Sequence, residues 1–465
     1  MNWFKWMKKP IVLGFWTANN PDDLDLFRPL GIGCLKASID RYLPYPATCY
    51  VIRGPQDDRL KQVDILLLSS LSQDFGEIPG MVRRYRELVP DGRVVLGGQH
   101  ISQFPTLLPE GVDVGCLGEG EYAVLHIIKA LKTSAGHLAS AMGGVPGVVY
   151  RPSENSMELV VQPPERLQRL EDLPLPDRTF DGGEVLSPYL LTSRGCPFHC
   201  TFCSSSVFWN KVHYLPAKYV LADLKKLLRE FPRVGAVCIC DDLFVGNVPR
   251  LYEIRTLMEQ EGIKGNLHLA CNVRAELVND ELCALMKDIG IGACSFGFES
   301  GVDKILKKLK PDGKVSVKQN IQAIEMLHSR GFLVNASCVI GVPGETEDEV
   351  RQTYEMVLEQ ARLNRLSGAV FNILMPMPGT YYWDYAVTKG LINLDGGSFH
   401  WNQLRYYADP AVSHCKHFRE WADKRVRNRS IYLNEDDLPH ERLLALMEEY
   451  HREYRSIMES RSQAS

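Results

Sequence analysis

Twice along this chain, short runs of β-branched and leucine-rich residues alternate with amphipathic helical patterns. No other feature limits the fold as strongly, because strand–helix–strand repeats close into parallel sheets with helices on their faces. In the first half the strand-like runs are 9–15, 63–69, 93–96 and 113–117, and the helical patterns are 34–42, 79–88 and 122–131. Residues 144–150 read as a further strand, with 157–161 as its partner. From Tyr189 the alternation resumes, with strands at 189–193, 236–240, 267–272, 293–298, 333–342 and 369–375. Helical patterns at 218–231, 248–260, 280–289, 315–330 and 347–362 separate them. The expected class is α/β, and ligands of such sheets bind past the C-terminal ends of the strands.

The first strand of the second half runs into Cys196-Pro197-Phe198-His199-Cys200-Thr201-Phe202-Cys203. Three thiols spaced C-x3-C-x2-C in one short loop are close enough to share an inorganic cluster. A four-iron cube held by three of them keeps one iron open to a substrate or cofactor. Zinc is the competing reading, but structural zinc takes four closed ligands, commonly from two separated pairs, and no second pair lies nearby. Packing explains one buried cysteine and not three beside Gly and Pro in a turn.

The triad, with an aromatic residue (Phe202) just before its last cysteine, resembles the radical S-adenosylmethionine (SAM) enzymes. That resemblance implies a [4Fe–4S] cluster on Cys196, Cys200 and Cys203. Its open iron would chelate the amino and carboxylate groups of SAM, and one electron would cleave SAM to methionine and a 5′-deoxyadenosyl radical. Six βα units are too few for a full eight-fold barrel, and the resemblance selects a partial (β/α)6 barrel of TIM type. In such a barrel Cys240, Asp241 and Asp242 approach the SAM amine. Arg274 is placed to hold a carboxylate bidentately, and Glu299 to accept from ribose hydroxyls or the amine. Gly341 admits adenine, and Met377 in the loop after the sixth strand offers it backbone contacts. Taken singly, helix capping accounts for Asp241, Asp242 or Glu299 as well as ligand binding does. At successive strand ends beside a cluster loop, binding is the better account. Cys271, Cys283, Cys294 and Cys338 lie in apolar runs and read as packing.

The first half resembles the cobalamin-binding domain that precedes many radical SAM domains, through Pro29-Leu30-Gly31, Leu68-Ser69-Ser70, Gly97-Gly98-Gln99-His100 and Gly118-Glu119-Gly120-Glu121. The resemblance implies a Rossmann-like sheet that binds the corrin across its strand ends, at Ser69, Ser70, Gly97, Gly98, Gly118, Glu119 and Gly120. The D-x-H-x-x-G signature that supplies a histidine to cobalt is absent. His100 is an imidazole in a suitable place, though a loop histidine satisfied by hydrogen bonds is the plainer reading. Turn chemistry alone also explains the glycines. No G-x-G-x-x-G follows the first strand, which argues against a dinucleotide site.

The expected organisation is a cobalamin-binding domain over 1–150, a Pro-rich linker over 151–185, a radical SAM core over 186–395 and a mainly helical C-terminal region over 396–465. Net charge is −4, and Lys and Arg are scattered without a basic stripe, so nucleic acid is not an expected partner. No apolar run is long enough to span a bilayer. Thirteen cysteines without a secretory layout fit a reducing cytoplasm. In the tail, His414, Cys415 and His417 read either as a solvated helix face or as pocket-lining residues.

Both resemblances together imply a cobalamin-dependent radical SAM C-methyltransferase acting on a small molecule or peptide, with an electron donor such as flavodoxin or ferredoxin. The alternatives are a cyclase, oxidase or rearrangement enzyme using the same cofactors without methyl transfer, an RNA methylthiotransferase, and a non-catalytic sensor. A methylthiotransferase would need a second cysteine triad, for which the first half offers only Cys34, Cys49 and Cys116.

Overall fold

The computed structural model describes residues 10–17, 29–133, 138–153, 156–180, 188–263, 267–394, 401 and 431–464. The chain divides into two compact units: Met1–Pro188 with Ala222–Pro232, and Tyr189–Leu221 with Arg233–Ser465.

The first unit is built on a seven-stranded sheet. Its strands are β1 (Ile11–Thr17), β2 (Ala47–Val51), β3 (Ile65–Ser69), β4 (Arg93–Gly97), β5 (Val114–Cys116), β6 (Val148–Tyr150) and β7 (Val160–Gln162), in the order β2-β1-β3-β4-β5-β6-β7. Strands β1 to β5 pair in parallel, whereas β6 and β7 add in antiparallel fashion at one edge. Sequence patterning missed β2, an edge strand with one alternately exposed face (Ala47-Thr48-Cys49-Tyr50-Val51). The order reverses between β1 and β3, which makes this the topological switch point. Helices α1 (Leu30–Tyr42), α2 (Ile78–Leu88), α3 (Gln99–Gln103), α4 (Gly120–Thr133) and α5 (Leu138–Met142) complete the unit. Val124, Leu125, Ile127 and Ile128 of α4 join Leu13, Phe15, Ile65 and Leu67 of the strands in one buried cluster. Each such side chain withdrawn from water contributes about 1.5–3 kcal/mol.

Residues 163–178, expected as a linker, pack on this unit. The Asp177 N–H donates to Gly33 O (3.1 Å), and Leu170 and Leu173 are buried. Arg178 forks onto Asp223 through two hydrogen bonds of 2.8 and 2.7 Å, both side chains being buried.

The second unit carries a six-stranded parallel sheet. Its strands are β8 (Tyr189–Leu190), β11 (Ala236–Ile239), β12 (His268–Val273), β13 (Ile291–Glu299), β14 (Leu333–Ile340) and β15 (Gly368–Ile373), in the order β15-β14-β13-β12-β11-β8. A second short ladder pairs β9 (Ser193–Arg194) with β10 (His213–Tyr214). The expected strand over 189–193 is thus broken at Thr192, whose N–H is taken by a carboxylate instead of a neighbouring strand. The crossover helices are α7 (Ala217–Glu230), whose residues from Ala222 on belong to the first unit, α8 (Val248–Gln260), α9 (Asp280–Ile289), α11 (Val317–Ser329) and α12 (Glu347–Arg362). Local chemistry sets their ends: Asn279 accepts from Leu282 N (2.8 Å) at the start of α9, and Gly290 closes it at φ +97°. Short helices α6 (Ser204–Trp209), α10 (Asp303–Leu309) and α13 (Tyr381–Thr388) lie outside the expected set. A long helix, α14 (His440–Ala464), packs on α12 through stacked Tyr354 and Tyr450 and through Arg362 on Glu453. A mixed α/β fold with a Rossmann-like sheet, a partial barrel sheet and a helical end is what the sequence implied. His414, Cys415 and His417 lie outside the described residues. No described helix is long and apolar enough to cross a membrane.

Candidate active site

In the second unit the cysteine loop leaves β9 through Gly195, whose φ is +86°. A Cβ there would stand 2.8 Å from both Lys211 O and the Trp209 Cβ, so only glycine fits. Asp241, at the end of β11, fixes the approach to this turn. Its buried carboxylate accepts from Thr192 N (2.6 Å), Thr192 Oγ1 (2.5 Å) and Ser193 Oγ (2.6 Å). Burial raises its pKa, and these hydrogen bonds together with Arg250 oppose that rise. Arg250 donates to Thr192 Oγ1 (2.9 Å) and stands 4.0 Å from Asp241. The Asp241 side chain therefore positions the loop, while its backbone carbonyl accepts from Asn272 Nδ2 (2.9 Å). Asp242 accepts from Ser205 Oγ (2.5 Å) in the first turn of α6. Cys240 is exposed at the strand end, and its N–H donates to Leu190 O (3.0 Å).

The loop is clamped from the far side by the segment that ends α10. Thr201 N–H donates to Leu309 O (2.9 Å) and Thr201 Oγ1 to Lys308 O (2.8 Å). His199 N–H donates to the Asp312 carboxylate, which also faces His199 Nδ1, each at 3.1 Å. Within the loop Cys203 N–H donates to Cys200 O (3.1 Å). Cys196, Cys200 and Cys203 are half-buried and free of disulfides. Burial pushes the Cys196 thiol up to about 11 and raises the other two, with Arg274 and Lys310 pulling Cys200 back. Thiols of this kind become good ligands once a metal compensates the desolvated charge. Among the described residues no three His, Cys, Asp or Glu side chains converge on one ion-sized point. A cube offers a different iron to each thiolate, so its ligands stand farther apart than those of a single ion.

The remaining expected residues lie on neighbouring strand ends. Arg274 follows β12 and Glu299 ends β13. Glu299 has φ +62°, rare for a residue with a side chain, at a register shift between β13 and β14. It pairs with buried Lys310 (3.0 Å), which also donates to Gly297 O (2.5 Å). Gly341, at φ +76°, donates its N–H to Glu345 Oε2 (2.7 Å), as does Val342 (3.1 Å). Glu345 Oε1 is buried with no partner, and burial pushes this carboxyl up to about 7. Asn434, from the C-terminal segment, accepts from Gly344 N (2.9 Å) and donates to Glu345 O (2.7 Å). Met377 follows β15, its carbonyl held by Thr380 Oγ1 (2.6 Å). Phe202 sits half-buried in the loop. Sequence patterning missed Thr192, Arg250, Lys310, Asp312 and Asn434, because none belongs to a local spacing.

In the first unit the expected residues gather at the ends of β3, β4 and β5. Ser69 is in register with Thr17 of β1 and with Gly97 of β4. Gly98, at φ +101°, approaches Ser70 so closely that a Cβ would lie 2.5 Å from Ser70 O. Gly97 differs, since a Cβ there would meet nothing nearer than 3.8 Å. Gly118 N–H donates to Ser102 Oγ (2.9 Å), Glu119 accepts from Leu167 N (2.9 Å), and Gly120 opens α4. Ser70 is buried, and its hydroxyl has no partner. His100 is wholly enclosed, stacked on Phe75 (ring centroids 3.8 Å apart) and bonded to Ser72 Oγ (3.0 Å), and burial lowers its pKa to about 3. Its imidazole is thereby kept neutral inside the unit.

The profile described as the Radical SAM superfamily matches residues 190–357, from β8 through most of α12. Residues 190–357 form a radical SAM domain. The chain is 29% identical over 336 residues to an uncharacterized methyltransferase of Pyrococcus horikoshii, covering 70% of this chain and 68% of that one. It is 25% identical to the anaerobic magnesium-protoporphyrin IX monomethyl ester cyclase of Cereibacter sphaeroides, over 66% of this chain and about half (52%) of the cyclase. In fold it resembles the radical SAM methyltransferase TsrM of Kitasatospora setae, a structure with cobalamin and a [4Fe–4S] cluster bound. The TM-score is 0.66, at 16% identity, over 82% of this chain and 75% of that one. A radical SAM domain brings SAM and a [4Fe–4S] cluster as cofactors, and the clamped three-thiol loop has the donor set for that cluster.

Proposed function

We propose that the protein is a cobalamin-dependent radical SAM C-methyltransferase acting on a biosynthetic small molecule or peptide. The observation that carries this reading is the cysteine loop, fixed by Asp241 on one side and by residues 308–312 on the other, at the C-terminal ends of a parallel sheet. When bound, the cluster with SAM supplies a 5′-deoxyadenosyl radical and the corrinoid carries the methyl group. Cys196, Cys200 and Cys203 would hold the cluster. Glu299 and the loop from Gly341 would receive the polar and adenine ends of SAM, and Met377 would face adenine through its backbone.

Two features of the first unit support a corrinoid there. Gly97 leaves open a space that a side chain would otherwise fill, and the buried Ser70 hydroxyl lacks a partner at the switch point. Ser69, Ser70, Gly97, Gly98 and the Gly118–Gly120 turn would form the cradle. His100, enclosed by Phe75 and Ser72, is a structural residue on this reading. A reducing electron donor of the flavodoxin or ferredoxin class would serve the cluster.

The relationship to a cyclase favours one second reading, in which the same cofactors act without methyl transfer. Anaerobic purification with iron, sulfide and hydroxocobalamin, followed by mass spectrometry of SAM-derived products, tests both. Methyl transfer requires S-adenosylhomocysteine alongside 5′-deoxyadenosine, whereas 5′-deoxyadenosine alone supports the second reading. Replacing Cys196, Cys200 and Cys203 by Ala must abolish 5′-deoxyadenosine formation, and unchanged turnover would remove the cluster assignment.

A further inference from the structure

Arg274 was expected to grip a carboxylate with its fork, yet its guanidinium is otherwise engaged. The group lies over the ring of Phe198, in the cysteine loop, at 3.7 Å from the ring centroid. Nη1 donates to Cys200 Sγ at 3.3 Å, and Nε is bound by Glu276. Nη2 is buried with no partner, and the residue is 6% exposed. Gly313 makes room for this arrangement: a Cβ there would stand 2.5 Å from Nη2 and 2.7 Å from a Glu276 oxygen.

We propose that Arg274 is a tuning residue that sets the reduction potential of the cluster held by the cysteine loop, with Glu276 as its opposing charge. This rests on the cluster reading above. One-electron reduction adds a negative charge to the cluster, and the electron comes from an external low-potential donor without any bond being made or broken in the protein. A cation with an N–H···S bond to a cluster thiolate stabilises the more negative state, and low exposure keeps that interaction from being screened by water. Phe198 holds the plane of the guanidinium by cation–π contact. Glu276, bound on the far edge, offsets part of the positive charge. The two residues therefore act on the potential with opposite signs, which a purely structural pair would not do.

The test is an anaerobic potentiometric titration of the full-length protein, read by the electron paramagnetic resonance signal of the reduced cluster. Iron and sulfide are counted per chain in parallel. Arg274→Gln should shift the midpoint to more negative potential, Arg274→Lys should fall between, and Glu276→Gln should shift it to more positive potential, all at wild-type iron content. Coincident midpoints in fully loaded Arg274→Gln and Glu276→Gln would overturn the proposal. Should Arg274→Gln fail to load, Glu276→Gln decides alone: a positive shift supports the tuning and an unmoved midpoint refutes it. A wild-type protein that takes up no cluster would instead overturn the reading beneath the proposal, and the proposal with it.

Discussion

Thr192 gives both its backbone N–H and its hydroxyl to the carboxylate of Asp241, at 2.6 and 2.5 Å, across 49 residues of sequence. This pair ends β8 early and turns the chain toward the cysteine loop. Buried acceptors of this kind are costly to lose, because the donors left behind are desolvated. Asp241→Ala should also strand Arg250 and cost about 3–5 kcal/mol. Asp241→Asn keeps one acceptor and should cost about 1–3 kcal/mol. Chemical denaturation gives the stability, and iron per chain should fall in the same order. Full iron content in Asp241→Ala would contradict a positioning role.

Arg178 and Asp223 form a buried fork in the first unit. Arg178→Ala leaves an uncompensated carboxylate and should destabilise by about 3–5 kcal/mol. Arg178→Met with Asp223→Leu should recover much of that loss, since apolar replacements of a buried pair are often tolerated. A thermal unfolding series of the three proteins is the check, and an unchanged midpoint in Arg178→Ala would exclude the pair as a structural tie.

Adjacent glycines separate folding from binding. Gly98→Ala must fit a Cβ 2.5 Å from Ser70 O at φ +101°, so it should lower stability by about 1–3 kcal/mol. Gly97→Ala meets no protein atom closer than 3.8 Å and should fold normally. On the proposed function it should nonetheless weaken corrinoid binding, measured by absorbance titration with hydroxocobalamin. Unchanged binding in Gly97→Ala would argue against the cradle.

Glu345 makes stability depend on pH. Its carboxyl titrates near 7 in the folded chain, against a reference of 4.5. Between those values the folded state holds a proton that the unfolded state has lost, so stability declines as pH rises from about 4.5 to about 7. The full difference is about 3 kcal/mol. Glu345→Gln keeps an acceptor for Gly341 and Val342 and should flatten this decline. Urea denaturation at pH 5 and pH 8 compares the two proteins, and parallel slopes would refute the assignment.

Much of the site was legible in the sequence because its signals are local. The C-x3-C-x2-C spacing, the glycines that end strands, and the alternation of strand and helix periods all lie within a few residues of one another. That is why α8, α9 and α12 start and stop where their patterns do. The edge strand β2 and the broken β8 were less legible, since strand edges are set by which partner arrives.

The sequence by itself determined the α/β class, the C-x3-C-x2-C spacing and the polar and glycine residues at the strand ends, for each is written in short-range spacing and periodicity. Only the tertiary structure decided what holds those pieces in place. It brought Asp312 to His199 across 113 residues, Arg274 to Cys200 across 74, and Asn434 to the Gly344 loop across 90. Hydrogen bonds and ion pairs between distant residues leave no periodic trace, because their partners become neighbours only once the sheet has closed around its core.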